Sequence, residues 1–416
     1  MYNRCMTNDR YLAAAEAAEE LGISLPTLYA YVSRGLIRSE AAGSSRRDRR
    51  YRRDDVDRLR ARQEQRRNPD RAAEQALSWG VPVLESSLTL IVDGGLYYRG
   101  QDALKLARTG TFEQVAELLW TGRTDGPAEM TAGRAALRAY QPWLRLLPEA
   151  APVEIMQAVL PIAAIHDAAA YNLRPAAVAQ TGARVLGLLA AAAVYPAAPA
   201  AGGIAACLQQ GWMLKWAGRP RPDGATRLIE AALVLSADHE LNTSAFTARC
   251  VASVHATPYQ VVIAGLAALQ GLRHGGHMSR VEALLDEIRT AKSVRSAVGA
   301  WLKRGESLPG FGHPLYPDGD PRARALLDWT RAAQPRSREL ALAQVIAQEA
   351  RTLVGEHPTI DFALVVVARA LKLPRGAALA LFALGRSAGW IAHAIEQYQT
   401  ESMIRPRARY IGEMPE

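Results

Sequence analysis

The stretch 308-LPGFGHPLYPDGDPRAR-324 breaks a chain that otherwise reads as Ala- and Leu-rich helix on both sides. Seven of its seventeen residues are Gly or Pro, enough to rule out regular helix and to impose a fixed, turned backbone. His313 stands where neighbouring glycyl positions let the main chain approach a ligand closely. Arg322 offers a planar fork that matches a carboxylate. Taken alone, the segment reads equally well as a structural loop carrying a surface histidine.

Working outward, apolar residues recur at three-to-four spacing over 112–120, 128–140, 153–170, 176–193 and 226–236. Nearly half of the 416 residues are apolar (49%), and only five are Phe, so the core is built from small and aliphatic side chains. This predicts a mainly α fold, and the length allows two or three domains. No period of 20–50 residues repeats, which excludes a helical solenoid. Short strands are expected at 81–84 and 88–91, followed by the turn Asp93-Gly94-Gly95. The uncharged run 185–213 contains Pro196, Pro199, Gly202 and Gly203, so it reads as two buried helices around a turn and not as a membrane span. Cys5, Cys207 and Cys250 show no paired spacing, and Arg4, Asp9 and Arg10 leave no apolar signal core at the start. Free thiols in a reducing cytoplasm are expected.

The net charge is +9, and its distribution says more than its size. Between residues 46 and 67 eleven arginines face five acids. Just before this segment, Leu12, Ala14, Ala15, Ala18 and Leu21 repeat at helical spacing up to Gly22. Ser24 then caps a second helix from Leu25 to Arg34, with Leu28 and Val32 facing in and Thr27, Tyr29, Tyr31 and Arg34 facing out. Leu36-Ile37-Arg38 and Tyr51-Arg52 read as two strands around a basic turn, and Asp54 caps a basic helix from Asp55. The order resembles the winged helix-turn-helix of the MerR and excisionase type. That resemblance implies duplex DNA as partner, with contacts from Thr27, Tyr31, Arg34, Arg46, Arg47, Arg49 and Arg50. The alternative is a small helical domain with a solvated charge run, or a protein-contact module.

Several residues further on could carry chemistry. Asp238-His239-Glu240 ends an apolar helix, and His239 fits a satisfied structural histidine as well as a ligand contact. His274-Gly275-Gly276-His277 breaks the helix 261–272, and glycines after a His leave open backbone N–H groups suited to developing negative charge. Asp361 abuts the apolar run from Phe362 to Val367; burial would raise its pKa toward that of a useful base, and an N-cap role fits equally. Arg386 lies among Gly385, Ala388, Gly389 and Ala392, and a buried Arg needs anionic partners. Arg405, Arg407 and Arg409 sit near the C-terminus, where arginines are usually solvated. No metal-ligand spacing, Walker loop or dinucleotide fingerprint is visible.

These motifs, taken in order, are Asp93–Gly100 (DGGLYYRG), Ser236–Asn242 (SADHELN), His274-Gly275-Gly276, G-F-G-H with Y…D-P-R, His357–Asp361 (HPTID) and Gly385–Arg409 (GRSAGWIAH…RPRAR). Together they resemble the citrate synthase family over about three-quarters of the chain. The resemblance implies that His274, His313 and Asp361 are catalytic. It implies that His239, His313, Arg322, Arg386 and Arg405 bind oxaloacetate, with Arg405 supplied by the second subunit of a homodimer. The Leu308, Pro309, Gly310, Phe311 and Gly312 backbone would lie against coenzyme A. Acetyl-CoA enters as co-substrate, with no permanently bound cofactor and no metal; propionyl-CoA, giving 2-methylcitrate, is the near alternative. A DNA-binding metabolite sensor with weak or no turnover is the distant one. The implied organisation is a winged domain and basic linker at 1–70, a large helical domain at 81–274 plus 367–416, and a small helical domain at 275–366. Two departures stand out: Ser236 replaces a second His, and His277-Met278 replaces the common Ala-Asn.

Overall fold

A computed structural model describes residues 11–41, 49–53, 55–57, 59–60, 84–124, 130, 134–197, 199, 202–213, 224–288, 290 and 293–415. The chain divides into two compact units, Met1–Glu85 and Ser86–Glu416.

In the first unit, β1 (Tyr11–Leu12), α1 (Ala14–Leu21), α2 (Leu25–Ser33), β2 (Ser39–Ala41) and β3 (Arg49–Arg52) surround a small core of Leu12, Ala17, Ala18, Leu21, Leu28, Ile37, Tyr51 and Val56. The sheet is antiparallel in the order β1-β3-β2. Gly22 ends α1 in the left-handed region (φ 61°), and Ser24 Oγ accepts the Thr27 N–H at 3.4 Å, as the cap spacing predicts. The first wing strand starts later than the sequence suggests. Leu36 N–H turns back to Tyr31 O, Ile37 plugs the core, and Arg38 is held by Asp55, so pairing begins at Ser39. Residues 53, 55–57 and 59–60 are helical; Asp54, the expected cap, lies outside the described residues, as does the helix beyond residue 60.

The second unit opens with an antiparallel meander of β4 (Thr89–Val92), β5 (Gly95–Tyr98) and β6 (Gln101–Asp102). Asp93 and Gly94 both have positive φ (51° and 72°), the geometry a two-residue hairpin requires. The strand at 88–91 is thus shifted by one residue, and 81–83 lie outside the described residues. Helices follow: α3 (Ala103–Thr109), α4 (Phe112–Thr121), α5 (Pro152–His166), α6 (Pro175–Ala193), α7 (Ile204–Trp212), α8 (Ala225–Ser236), α9 (Thr243–Ala252), α10 (Pro258–Leu269), α11 (Met278–Glu287), α12 (Val294–Lys303), α13 (Pro321–Ala333), α14 (Arg338–Val354), α15 (Ile360–Ala370) and α16 (Ala377–Tyr398). The helix expected over 128–140 is instead two single turns, Arg134–Leu137 and Gln141–Leu144, with a turn before Pro142 between them. The one expected over 153–170 stops at His166, and a 3₁₀ turn takes over at Ala168–Tyr171.

The core is built around α16, buried along almost its whole length. A Cβ on Gly385 would meet Leu233 O at 2.6 Å and Ser236 Cβ at 2.9 Å, so only Gly lets α16 cross the end of α8 this closely. That crossing also places Arg386 beneath the last carbonyl of α8. The helices α6 and α16 are long and apolar enough to cross a membrane, yet 78% and 94% of their apolar windows are buried within the fold. The run 185–213 is indeed two buried helices around a turn.

Candidate active site

The segment 308–324 is more ordered than its Gly and Pro content suggests. Its first half pairs with residues 357–359: Phe311 bridges Pro358, Gly312 N–H donates to His357 O at 3.0 Å, and Thr359 N–H donates to Gly310 O at 2.9 Å. Phe311 packs on Phe362 with ring centroids 4.8 Å apart. Two segments distant in sequence, carrying His313 and Asp361, are thereby stitched side by side. Leu308, Pro309, Gly310 and Phe311 are buried, and Gly312 is exposed.

The second half holds the anion-binding groups. Asp320 caps α13 and clamps Arg322 in two places, Nε to Oδ1 at 2.9 Å and Nη2 to Oδ2 at 2.8 Å. The same carboxylate accepts the Ile360 N–H at 3.0 Å, which fixes the start of α15. Arg322 and Asp320 are each only 2% exposed, and against the cost of burial the guanidinium holds the carboxyl below its usual range. The Arg322 guanidinium lies over the Tyr316 ring at 5.4 Å.

Tyr316 OH meets His239 Nε2 at 3.0 Å, and the His239 and His313 rings stand edge to face at 5.4 Å. His313 Nδ1 accepts the Leu315 N–H at 3.2 Å. A neutral His313 therefore carries its proton on Nε2, as a hydrogen-bond donor. Arg386 donates from Nε to Ser236 O at 2.8 Å and stacks over Phe382 at 4.8 Å. His274 stands edge to face with the same ring at 6.3 Å, and its Nε2 meets Ser244 Oγ at 2.9 Å. Ser244 is itself held by Trp390 Nε1 at 3.2 Å and by Asn242 Oδ1 at 2.8 Å. Because Asn242 Oδ1 also receives the Ala245 N–H, Ser244 is at liberty to give its proton to His274 Nε2, which leaves His274 with an Nδ1–H.

Asp361 occupies the first turn of α15, where Thr359 is the cap position, so the N-cap reading of Asp361 is replaced. Its Oδ2 accepts from Thr359 Oγ1 at 3.3 Å. Burial pushes Asp361 above the ordinary carboxylate range, with His277 and Arg322 pulling the other way. Burial and then Arg386 take His274 down to about 4. Burial and then Arg322 take His313 down to about 4. His239 is lowered well below the usual imidazole value by burial, Arg322 and Arg386. Near neutral pH the cluster thus pairs neutral imidazoles with fixed guanidinium charge, a field suited to a small polycarboxylate.

His239, His313, Arg322, Arg386, His274 and Asp361 therefore fall within mutual electrostatic reach. Arg405 does not join them: it is exposed on the extended tail of the single chain. Sequence reasoning missed Tyr316, Ser244 and Asp320. Only Asp320 left a signal, since Asp-Pro before a helical pattern marks a cap. Ser236 is fully buried, its Oγ donating back to Ala232 O at 2.7 Å, and its role is structural. Among the described residues no group of three or more His, Cys, Asp or Glu side chains is placed to hold a metal ion.

In the first unit, Arg34, Arg49 and Arg50 are exposed. Tyr31 faces inward instead, half-buried against the core, because the tight turn at Gly35 brings Leu36 N–H onto its carbonyl. Thr27 is half-buried with its hydroxyl on Ser24 at 2.9 Å. Arg46 and Arg47 lie outside the described residues.

Residues 76–407 match the family model for the citrate synthase C-terminal domain. The chain belongs to the citrate synthase family. Residues 11–64 match a helix-turn-helix domain model, so the synthase fold is preceded by a helix-turn-helix domain. Citrate synthase 2 of Bacillus subtilis is 29% identical over 80% of this chain and 94% of its own length. The 2-methylcitrate synthase of Mycobacterium tuberculosis is 29% identical over 80% of this chain and 89% of its own. The fold is that of the citrate synthase from Thermoplasma acidophilum, solved as a ternary complex with carboxymethyl coenzyme A and oxaloacetate, at a TM-score of 0.69 and 24% identity over 81% of this chain and 95% of that one. This citrate synthase family member is an acyltransferase of the condensing type.

Proposed function

We propose that the chain condenses acetyl-CoA with oxaloacetate to give citrate and coenzyme A. The observation that carries this is the meeting of Asp361, above its usual pKa range, with two neutral imidazoles of opposite assignment around buried Arg322 and Arg386. Asp361 takes a proton from the thioester methyl. His274, with its Nδ1–H, donates to the enolate oxygen, and His313 Nε2–H polarises the ketone. Arg322, Arg386 and His239 bind the carboxylates of oxaloacetate. The enol carbon attacks the ketone carbon, the ketone oxygen gains a proton, and water then cleaves the thioester to release coenzyme A. The Leu308–Gly312 backbone supports the coenzyme, and the Thermoplasma complex with a coenzyme A analogue and oxaloacetate supports this reading by analogy of fold. Arg405 completes the site from a second copy in a homodimer. Residues 275–366 form the smaller body that closes over 81–274 and 367–416.

Thiol release with acetyl-CoA and oxaloacetate tests the proposal, and none with any acyl-CoA and 2-oxoacid pair defeats it. The similarity to a 2-methylcitrate synthase favours propionyl-CoA as a second substrate. One methylene is worth about 10- to 200-fold in kcat/KM, so both thioesters are expected to react.

The helix-turn-helix domain supports duplex DNA as a further partner, contacted by exposed Arg34, Arg49 and Arg50 together with Arg46 and Arg47. Binding through phosphates loses affinity steeply with salt. The full chain is expected to lose at least about tenfold in duplex affinity between 50 and 200 mM salt. Salt-independent binding, or none at low salt, removes DNA as the partner.

A further inference from the structure

His277 is a half-buried histidine three residues after His274, and the condensation mechanism does not use it. It ends the 3₁₀ turn Gly275–His277, which Gly276 permits by packing directly against the Gln270 carbonyl. Its Nε2 accepts the backbone N–H of Gly310 at 3.2 Å. Gly310 lies in the middle of the segment proposed to face coenzyme A, with φ at +82°. No side chain is tolerated there, because a Cβ would meet Phe362 Cβ at 2.9 Å and Val281 Cγ2 at 3.0 Å. The peptide is thus pinned from below by packing and needs its polar groups answered from the sides.

The other end of the same residue answers to Thr359. Gly310 O accepts from Thr359 N at 2.9 Å and from Thr359 Oγ1 at 3.1 Å, and Thr359 Oγ1 also reaches Asp361 Oδ2 at 3.3 Å. One short chain of contacts therefore runs from His277 through Gly310 and Thr359 to the base. Burial keeps the His277 ring neutral, while Asp361 pulls in the opposite direction and Arg280 adds to the burial effect. A neutral ring accepting at Nε2 carries its proton on Nδ1, so its tautomer is set by the loop it holds.

We propose that His277 is a positioning residue for this site: it fixes the Gly310 peptide and, through Thr359, aligns the thioester-bearing substrate with Asp361 Oδ2. The inference rests on the condensation reading for its catalytic consequence. Its mechanical content, a held Gly310 amide, stands apart from that reading and can be measured separately.

The test compares His277→Ala with His277→Gln, whose Oε1 can take the place of Nε2 as acceptor. Two quantities are read: hydrogen exchange of the Gly310 amide, and KM for acetyl-CoA against KM for oxaloacetate. His277→Ala is expected to speed Gly310 exchange by about tenfold or more and to raise the acetyl-CoA KM by a similar factor, the scale of one lost hydrogen bond. The oxaloacetate KM should stay within about twofold, and exchange in α16 should not change, since the Arg322 and Arg386 contacts are untouched. His277→Gln is expected to restore both readings to within about threefold. Unchanged Gly310 exchange in His277→Ala, an equal rise in both KM values, or a Gln variant as impaired as Ala overturns the assignment. A wild-type chain that releases no thiol with any substrate pair defeats the condensation reading instead. In that case slow Gly310 exchange in the wild type and the Gln variant, and fast exchange in the Ala variant, still establishes the hold; equal rates in all three abolish it.

Discussion

Replacing Asp361 by Ala is expected to lower kcat by about 10³-fold or more while leaving oxaloacetate affinity nearly intact. The two halves of that expectation have different origins. General-base catalysis by a positioned carboxylate is worth about 10²- to 10⁴-fold, and no second carboxylate is free to substitute. Asp320, the nearest, is committed to Arg322 and to the Ile360 N–H. Oxaloacetate, in contrast, is held by Arg322, Arg386 and His239, none of which hydrogen-bonds to Asp361. Steady-state kinetics with a binding measurement for oxaloacetate separates the two. Turnover equal to wild type would remove Asp361 as the base, and lost oxaloacetate binding would show that the carboxylate organises the pocket instead.

The pH dependence follows from the same group. Burial raises Asp361, so the fraction ionised, and with it the activity, falls as pH drops through a value above the ordinary carboxylate pKa of about 3.9. His274 and His313, lowered to about 4, stay neutral through that range and do not set the limb. The acid limb of kcat/KM is therefore expected above the usual carboxylate range. A limb near pH 6.5 would point to an imidazole with an ordinary pKa.

What the sequence disclosed and what it concealed divide along physical lines. Helix periodicity is a local property, so α4, α6 and α8 lie within one residue of the expected spans. The winged segment and the 128–140 helix shifted because turns at Gly35 and before Pro142 decide where pairing and helix can start. The site shows the same split. His239, His313, Arg322 and Asp361 were singled out from local chemistry sharpened by motif order. Tyr316 and Ser244 were not, because a hydrogen bond across 77 residues to His239, or across 30 to His274, leaves no local trace. Tyr31 was assigned outward from helical spacing alone, and the small core claimed it. The strand-like pairing of 310–312 with 357–359 was likewise invisible, since Gly and Pro announce a turn and say nothing of its partner.

The same clamp that orients Arg322 makes it the most consequential single side chain for the fold of the second unit. Arg322→Met removes a cation from a site where Asp320 is only 2% exposed, leaving a buried carboxylate without its partner. Breaking one side of a buried pair costs about 3–5 kcal/mol, whereas replacing both sides by neutral groups of similar volume is often close to neutral. Urea denaturation should therefore show Arg322→Met strongly destabilised and Asp320→Asn/Arg322→Met recovering most of the loss. The sign with pH distinguishes the ion pair from simple packing. In the wild type Asp320 is lowered, so its contribution is present above the unfolded carboxylate pKa of about 3.9 and is lost as pH falls through the folded value. In Arg322→Met the same carboxyl is raised by uncompensated burial. Its penalty is absent below about 3.9 and grows as pH rises toward the new folded pKa. The deficit of Arg322→Met relative to wild type should consequently be larger at pH 7.5 than at pH 5. A deficit independent of pH, or a double variant no better than the single one, would mean that Arg322 supports the unit by filling space and not by neutralising Asp320.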